Sequence, residues 1–235
     1  NAPKGYAERT AAHLAKLTGK PIVPAKDMLA ATWDQQGFVV YSSALKSTAI
    51  KLSKIAGDLI LLASGPRAGL NEINLPAIQP GSSIMPGKVN PVIPELVNLV
   101  AFRVMGNDYT VTLAAHSGQL QLNAYEPVEG VAMMESQHLL YTTSKAFRSK
   151  CVDGITVNEK VLEHYLETTI GIVTALNPVL GYDKATELAA EASKSGKGIL
   201  EVVREKKLLT EAQIKDLLDP VKLTNLDRSQ YGKTK

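Results

Sequence analysis

The sequence predicts an all-α protein, a bundle of long helices followed by a small helical domain. Three observations predict it. Apolar residues recur at helical spacing along most of the chain. One such run keeps a seven-residue repeat over four heptads, and after residue 150 the helices become short and capped. No segment reads as part of a strand-rich sheet.

In chain order, the first expected helices are Tyr6–Thr18 and a short one near Asp27–Trp33. The clearest follows, from about Phe38 to Ala63. Phe38, Leu45, Leu52 and Leu59 stand seven apart, interleaved with Tyr41, Thr48, Ile55 and Leu62. That is a heptad seam. Ser42, Ala49, Ala56 and Ala63 form a parallel strip of small residues, which admits a close neighbour. A long helix packed on both flanks inside a bundle accounts for both strips. Gly65-Pro66 ends it.

A second long helix is expected from Pro91 or just after it, Pro being tolerated in the first turn, to about His116. Leu96, Val97, Leu99, Val100, Phe102, Val104 and Met105 cover most of its circumference. A helix apolar nearly all round is a buried one, here between subunits. A third begins at Glu126-Pro127 and reaches about Lys150, with Val128, Val131, Ala132, Met134, Leu139 and Ala146 expected inward. Beyond Gly154, Asn158 opens a short helix and Gly181-Tyr-Asp183 leads into another. Thr210-Glu-Ala-Gln213 is a capping-box pattern before Ile214 and Leu217. Residues 153–235 are read as a small separate domain after a bundle domain over 1–152.

Composition narrows the function class. Hydrophobic residues at 45% and charged residues at 21% are ordinary for a globular chain. A net charge of +3, scattered along helices, points to neither nucleic acid nor a membrane surface. The single cysteine, Cys151, excludes an intrachain disulfide and reads as a buried structural thiol. No apolar run reaches the eighteen or so residues of a membrane span. With no support for secretion, a cytoplasmic location is expected. Asn1-Ala2-Pro3 reads as the interior of a longer chain.

One segment breaks the helical pattern. Residues 65–91 are too long and too rich in Pro and Gly for a simple connection, and such loops are usually functional or disordered. Pro76, Pro80, Pro86 and Pro91 stiffen it, while Gly81 and Gly87 supply permissive backbone. Two hydroxyls (Ser82, Ser83), an ammonium (Lys88) and an amide (Asn90) lie beside those glycines. A lid with two hinges needs this composition.

The string Gly81-Ser-Ser-Ile-Met-Pro-Gly-Lys-Val-Asn90 resembles the signature of the aspartase/fumarase superfamily, Gly-Ser-Ser-x-Met-Pro-x-Lys-x-Asn, at every defining position. Pro3-Lys-Gly-Tyr6, Ser64-Gly-Pro-Arg67, Met105-Gly-Asn-Asp108, Leu120-Gln-Leu-Asn123 and Ile172-Val-Thr-Ala-Leu-Asn177 also resemble landmarks of that superfamily. The resemblance implies its bundle fold and elimination from a succinyl skeleton to give fumarate. It assigns Ser82 as the general base, with Ser83 as a loop partner. Loop N–H groups and Lys88 would stabilise the alkoxide. Lys88 and Asn90, two apart and facing one side of an extended loop, suit the carboxylate that gains charge in the transition state. Glu95 has two readings: the carboxylate that pairs with a histidine of another subunit, or a helix-start Glu favoured by the dipole. His13, His116, His138 and His164 match no catalytic position of the superfamily.

The resemblance also implies a homotetramer whose active sites are shared between subunits, and a small dicarboxylate substrate. No metal site is visible and no organic cofactor is implied, although a divalent cation such as Mg can activate some members. The pocket residues supplied by the N-terminal half of such proteins do not occur here. Gly65-Pro-Arg-Ala-Gly-Leu-Asn-Glu-Ile-Asn-Leu-Pro76, Val89-Asn-Pro-Val-Ile-Pro-Glu95 and Gly118-Gln-Leu-Gln-Leu-Asn-Ala-Tyr-Glu-Pro127 resemble the branch that releases ammonia from L-aspartate. Gly87 and Gly181-Tyr-Asp-Lys-Ala185 are equally at home in the class II fumarase branch. A non-catalytic helical scaffold for oligomerisation is the reading from another class.

Overall fold

A computed structural model describes residues 2–219 and 223–224. Helices dominate, and the few strand residues form one two-residue antiparallel ladder. The chain divides into two compact units. The first comprises residues 1–70 and 75–155; the second joins residues 71–74 to the chain from 156 onward.

In the first unit, α1 (Tyr6–Thr18) and α2 (Ala30–Trp33) precede α3 (Gln36–Leu62). The small-residue strip forms the interior face of α3: Ser42, Ala49 and Ala56 are buried, the two alanines completely. Side chains this short let α4 (Val92–His116) and α5 (Glu126–Lys150) approach closely. Ala49 meets Val100, Ala101, Val104 and Leu140; Ala56 meets Ile93, Val97, Phe147 and Cys151. Leu45, Leu52 and Leu59 of the heptad seam flank these clusters, half-buried. Phe38, Tyr41 and Ile55 are exposed within this one chain. Pro91 caps α4, as its missing N–H permits.

Within this one chain α4 carries a buried stripe and an open apolar side, and one expectation, for α5, needs correction. In α4 only one side is covered: Val97, Val100, Ala101 and Val104 are buried, whereas Leu99 and Phe102 are 65% and 60% exposed. In α5 the inward face is rotated from the one expected. Val128, Val131 and Met134 are exposed, and the buried positions are Glu129, Ala132, Met133, Ser136, Leu140, Thr143 and Phe147. Hydrogen bonding lets polar groups occupy the buried face. Ser136 Oγ donates to Ala132 O at 2.7 Å and accepts from Asn107 Nδ2 at 3.0 Å, so a polar side chain sits inside without penalty. Cys151, at the end of α5, is buried as expected, and desolvation pushes its thiol pKa up.

The second unit holds β1 (Ile73–Asn74), β2 (Thr156–Val157), α6 (Glu159–Thr168), α7 (Val173–Leu180), α8 (Tyr182–Ser195), α9 (Ile199–Glu205) and α10 (Glu211–Leu217). Ile73 pairs with Val157 and Asn74 with Thr156. Asn158 fastens the same junction, donating through Nδ2 to Asn71 O at 2.8 Å and Asn74 Oδ1 at 3.2 Å. Leu176, Leu188, Ile199, Leu200, Val202 and Val203 make a closed apolar core. The Thr210–Gln213 capping box forms: Thr210 Oγ1 accepts from Gln213 N at 3.3 Å and Gln213 Oε1 accepts from Thr210 N at 2.9 Å. In the domain expected over 153–235, residues 220–222 and 225–235 lie outside the described ones.

Candidate functional site

The loop between α3 and α4 is built by its own backbone. Gly81 N–H donates to Lys88 O at 2.7 Å, and Asn90 Nδ2 donates to Gly81 O at 3.1 Å. Both main-chain groups of Gly81 are thereby tied to the far end of the signature, which closes residues 81–90 into a ring. The neck is tight. A Cβ at Gly81 would sit 2.8 Å from Lys88 O and 2.9 Å from Asn90 N, so close approach demands glycine there. In this conformation Gly81 forms the neck of the ring. Gly87 differs: its φ of 77° is left-handed, and a further bond from Lys88 N–H to Met85 O at 3.3 Å completes the turn around it.

Ser82 lies inside the ring, half-buried. Its Oγ accepts the backbone N–H groups of Ile84 and Met85, both at 3.2 Å. Two donors aimed at one oxygen favour its anionic form over the neutral hydroxyl. Ser83 points to solvent, and Ile84 at the tip is 84% exposed. Lys88 is exposed and makes no ion pair among the described residues. Its ammonium is available to an incoming anion.

The structure therefore brings Gly81, Ser82, Gly87, Lys88 and Asn90 into one closed loop. Asn90 spends one amide hydrogen on the neck, which the extended-loop reading did not foresee. Glu95 stands apart in the first turn of α4, exposed, its side chain without an ion pair among the described residues. All four histidines are exposed. Among the described residues, no group of three or more His, Cys, Asp or Glu is placed to hold a metal ion. No helix there is long and apolar enough to cross a membrane.

Sequence reasoning missed the polar groups inside the bundle. Asp108, nearly buried, accepts from Ser42 Oγ at 2.9 Å and pairs with Lys46. Asn107 Nδ2 donates to Glu135 Oε2 at 2.7 Å, and Arg103 pairs with the same carboxylate. These donors lower the pKa of Glu135, Asn107 first and Arg103 second. The signal was present. Asp108 follows Val97, Val100 and Val104 on one helical stripe, and a charge on an apolar stripe calls for a buried partner.

Comparison with known proteins agrees with the signature. Residues 1–106 match the lyase family model, and residues 172–225 match that of the fumarase C C-terminus. The aspartate ammonia-lyase of Pseudomonas aeruginosa is 54% identical over 220 residues, covering 94% of this chain and 46% of that protein. The one from Escherichia coli K12 is 53% identical over 217 residues, covering 92% and 45%. Among solved structures, a fumarate lyase:delta crystallin from Brucella melitensis superposes with a TM-score of 0.86 at 48% identity, covering 95% of this chain and 48% of that one. A class II fumarase from Schistosoma mansoni gives 0.81 at 34%, covering 93% and 49%. The chain spans about half the length of the curated relatives it matches.

Proposed function

We infer that this chain, homologous to aspartate ammonia-lyases over nearly its whole length, belongs to an enzyme that converts L-aspartate reversibly to fumarate and ammonia. In this reading Ser82 is the base. Its Oγ takes a proton from the carbon next to a carboxylate, whose two oxygens take up the electron pair as an aci-carboxylate. The pair then returns to form the double bond, the carbon–nitrogen bond breaks, and ammonia leaves.

The observation that supports this role best is the pair of N–H donors on Ser82 Oγ inside an intact signature loop. A serine hydroxyl must be strongly acidified to act as a base, and preorganised donors stabilise the charged form without reorganising during the reaction. Lys88 and, once the neck opens, Asn90 would bind the carboxylate that gains charge. Gly81, Ser83 and Gly87 shape the loop, and Glu95 would orient a histidine from another subunit. The proposed assembly is a homotetramer in which this loop is one of several segments meeting at each active site. It binds a small dicarboxylate, works in the cytoplasm and uses no organic cofactor, with a divalent cation such as Mg as a possible activator. The domain division that goes with it is a bundle over 1–152 and a small domain over 153–235.

The competing reading is a class II fumarase, which adds water rather than ammonia. The higher identity to ammonia-lyases (54% against 34% for the fumarase) favours ammonia. Supplying the intact protein with L-aspartate and L-malate separately, and following fumarate absorbance, decides between them; turnover of malate alone overturns the reading. Ser82→Ala should lower kcat by at least about a thousand-fold, near 4 kcal/mol of barrier, with the fold unchanged by circular dichroism. Undiminished activity would remove Ser82 as the base. If neither substrate turns over in the unmutated protein, a non-catalytic scaffold takes the place of both enzyme readings.

A further inference from the structure

The three long helices of the first unit pack in layers that repeat. Ser42, Ala49 and Ala56 of α3 stand seven residues apart, and all three are buried. So do Val111, Val104 and Val97 of α4, and Met133, Leu140 and Phe147 of α5, again all buried. Ala49 lies in one apolar cluster with Val104 and Leu140, and Ala56 in the next with Val97 and Phe147. Val111 and Met133 share a third cluster with Val39. A step of seven residues along each helix therefore turns one layer into the next.

Such a core is nearly blind to register. Slid by one heptad, about 10 Å along its axis, α3 would set its alanines against the same kinds of apolar side chain. The chain from Ala63 to Pro91, which joins α3 to α4, is long enough to permit the slide. Something other than apolar packing must choose. In coiled coils, whose apolar seams also repeat, a buried polar residue makes that choice.

Two polar contacts between α3 and α4 do not repeat. Ser42 Oγ donates to Asp108 Oδ1 at 2.9 Å, Ser43 Oγ to the same oxygen at 3.4 Å, and Lys46 pairs with the other carboxylate oxygen. Further along α3 and correspondingly back along α4, Ser53 Oγ donates to Asn98 Oδ1 at 2.8 Å. One heptad away in either direction, Asp108 would face Gln35, Gln36 and Val39, or Ala49, Ile50 and Ser53. Neither set holds a cation. Lys46 would face Ala101 or Ala115, so the pair cannot re-form. A carboxylate buried without its cation costs far more than an alanine exchanged between valines. Thr32 Oγ1, which donates to Gln121 O at 2.6 Å, adds only an exposed tie outside α3.

We propose that Asp108 with Lys46, Ser42 and Ser43, and Asn98 with Ser53, lock the register of α3 on the α4–α5 pair and are thereby positioning residues for the signature loop. The end of α3 and the start of α4 are the two posts between which that loop is strung. A slip of one heptad would displace one post against the other by about 10 Å. The lock sets where the loop begins relative to where it ends.

The test moves the lock and reads the register. Exchanging two α3 residues, Lys46→Ser with Ser53→Lys, shifts the lysine by one heptad at unchanged composition. Spin labels on Thr48→Cys and Ser149→Cys report the slide, because both sites are exposed and their hydroxyls bond only within their own helices. Cys151 is buried and stays unlabelled. Dipolar distance measurement on the intact protein, diluted with unlabelled protein, should give one distance without the exchange. With it, a population about 10 Å longer should appear. An unmoved distance overturns the proposal. If the exchanged protein does not fold, Asp108→Leu with Lys46→Met and Asn98→Leu decides, since it removes the lock without burying a lone charge. That variant should melt near the wild type yet show distances a heptad apart; a single unchanged distance overturns the lock. Fumarate release from L-aspartate should fall in step with the shifted population, and full turnover in a shifted protein overturns the positioning role. Turnover rests on the lyase reading and the distances do not, so failure of either is seen separately.

Discussion

The two compact units solve the burial problem in opposite ways. The second closes on itself: Leu176, Ile199, Leu200 and Val203 are completely buried within about eighty residues of short helices. The first buries small and polar side chains (Ala49, Ala56, Ala101, Ser42, Asn107 and Glu129) alongside Val97, Val104 and Phe147. Several of its large apolar groups face outward, Leu99, Phe102, Tyr109, Met134 and Tyr141 each at least 60% exposed. Exposed apolar side chains of that kind on long helices suit a subunit interface. The contrast teaches that the described residues of one unit close an apolar core of their own, while the other leaves a broad apolar surface open.

The experiment that would break this contrast most sharply is Leu99→Glu combined with Phe102→Glu in the intact protein. Each glutamate would be buried unpaired at an interface, so assembly should fail and activity should disappear with it. Sedimentation checks it. A variant that still sediments as a tetramer, or an active monomer, contradicts the interface reading. Within the second unit, Leu200→Ala should cost about 3 kcal/mol from lost burial and the cavity left behind. Urea melting should show the loss in that unit alone while the assembly persists. The smallest effect is expected at the polar seam between α3 and α4. Lys46→Met leaves the Asp108 carboxylate with hydroxyl donors only, from Ser42 at 2.9 Å and Ser43 at 3.4 Å. Because Lys46 is itself more than a third exposed, the cost should be about 1 kcal/mol, read from the same melts.

Much of this architecture was legible before any coordinates. The limits of α1, α4 and α5 follow from apolar periodicity and from Pro91 and Pro127 at the helix starts, and the Thr210 cap from its four-residue pattern. The α5 face was not legible. Val128, Val131 and Met134 are a proper apolar stripe, and periodicity cannot say whether a stripe meets this chain or another one. The loop was partly legible. Its signature named Ser82, Lys88 and Asn90, but whether Gly81 serves as a hinge or a neck depends on an approach to Lys88 O across seven residues.

What the sequence determined by itself was the helical class, the order of elements and the chemistry gathered in residues 81–90. These rest on interactions between near neighbours in the chain: spacing on one helix, caps, and a contiguous signature. What only the tertiary structure decided was which polar groups lie inside, which apolar faces stay open, and which N–H groups point at Ser82 Oγ. Those outcomes depend on residues brought together from distant helices or by the closing of a loop. A one-dimensional period records that a side chain belongs on a face and leaves open what that face will meet.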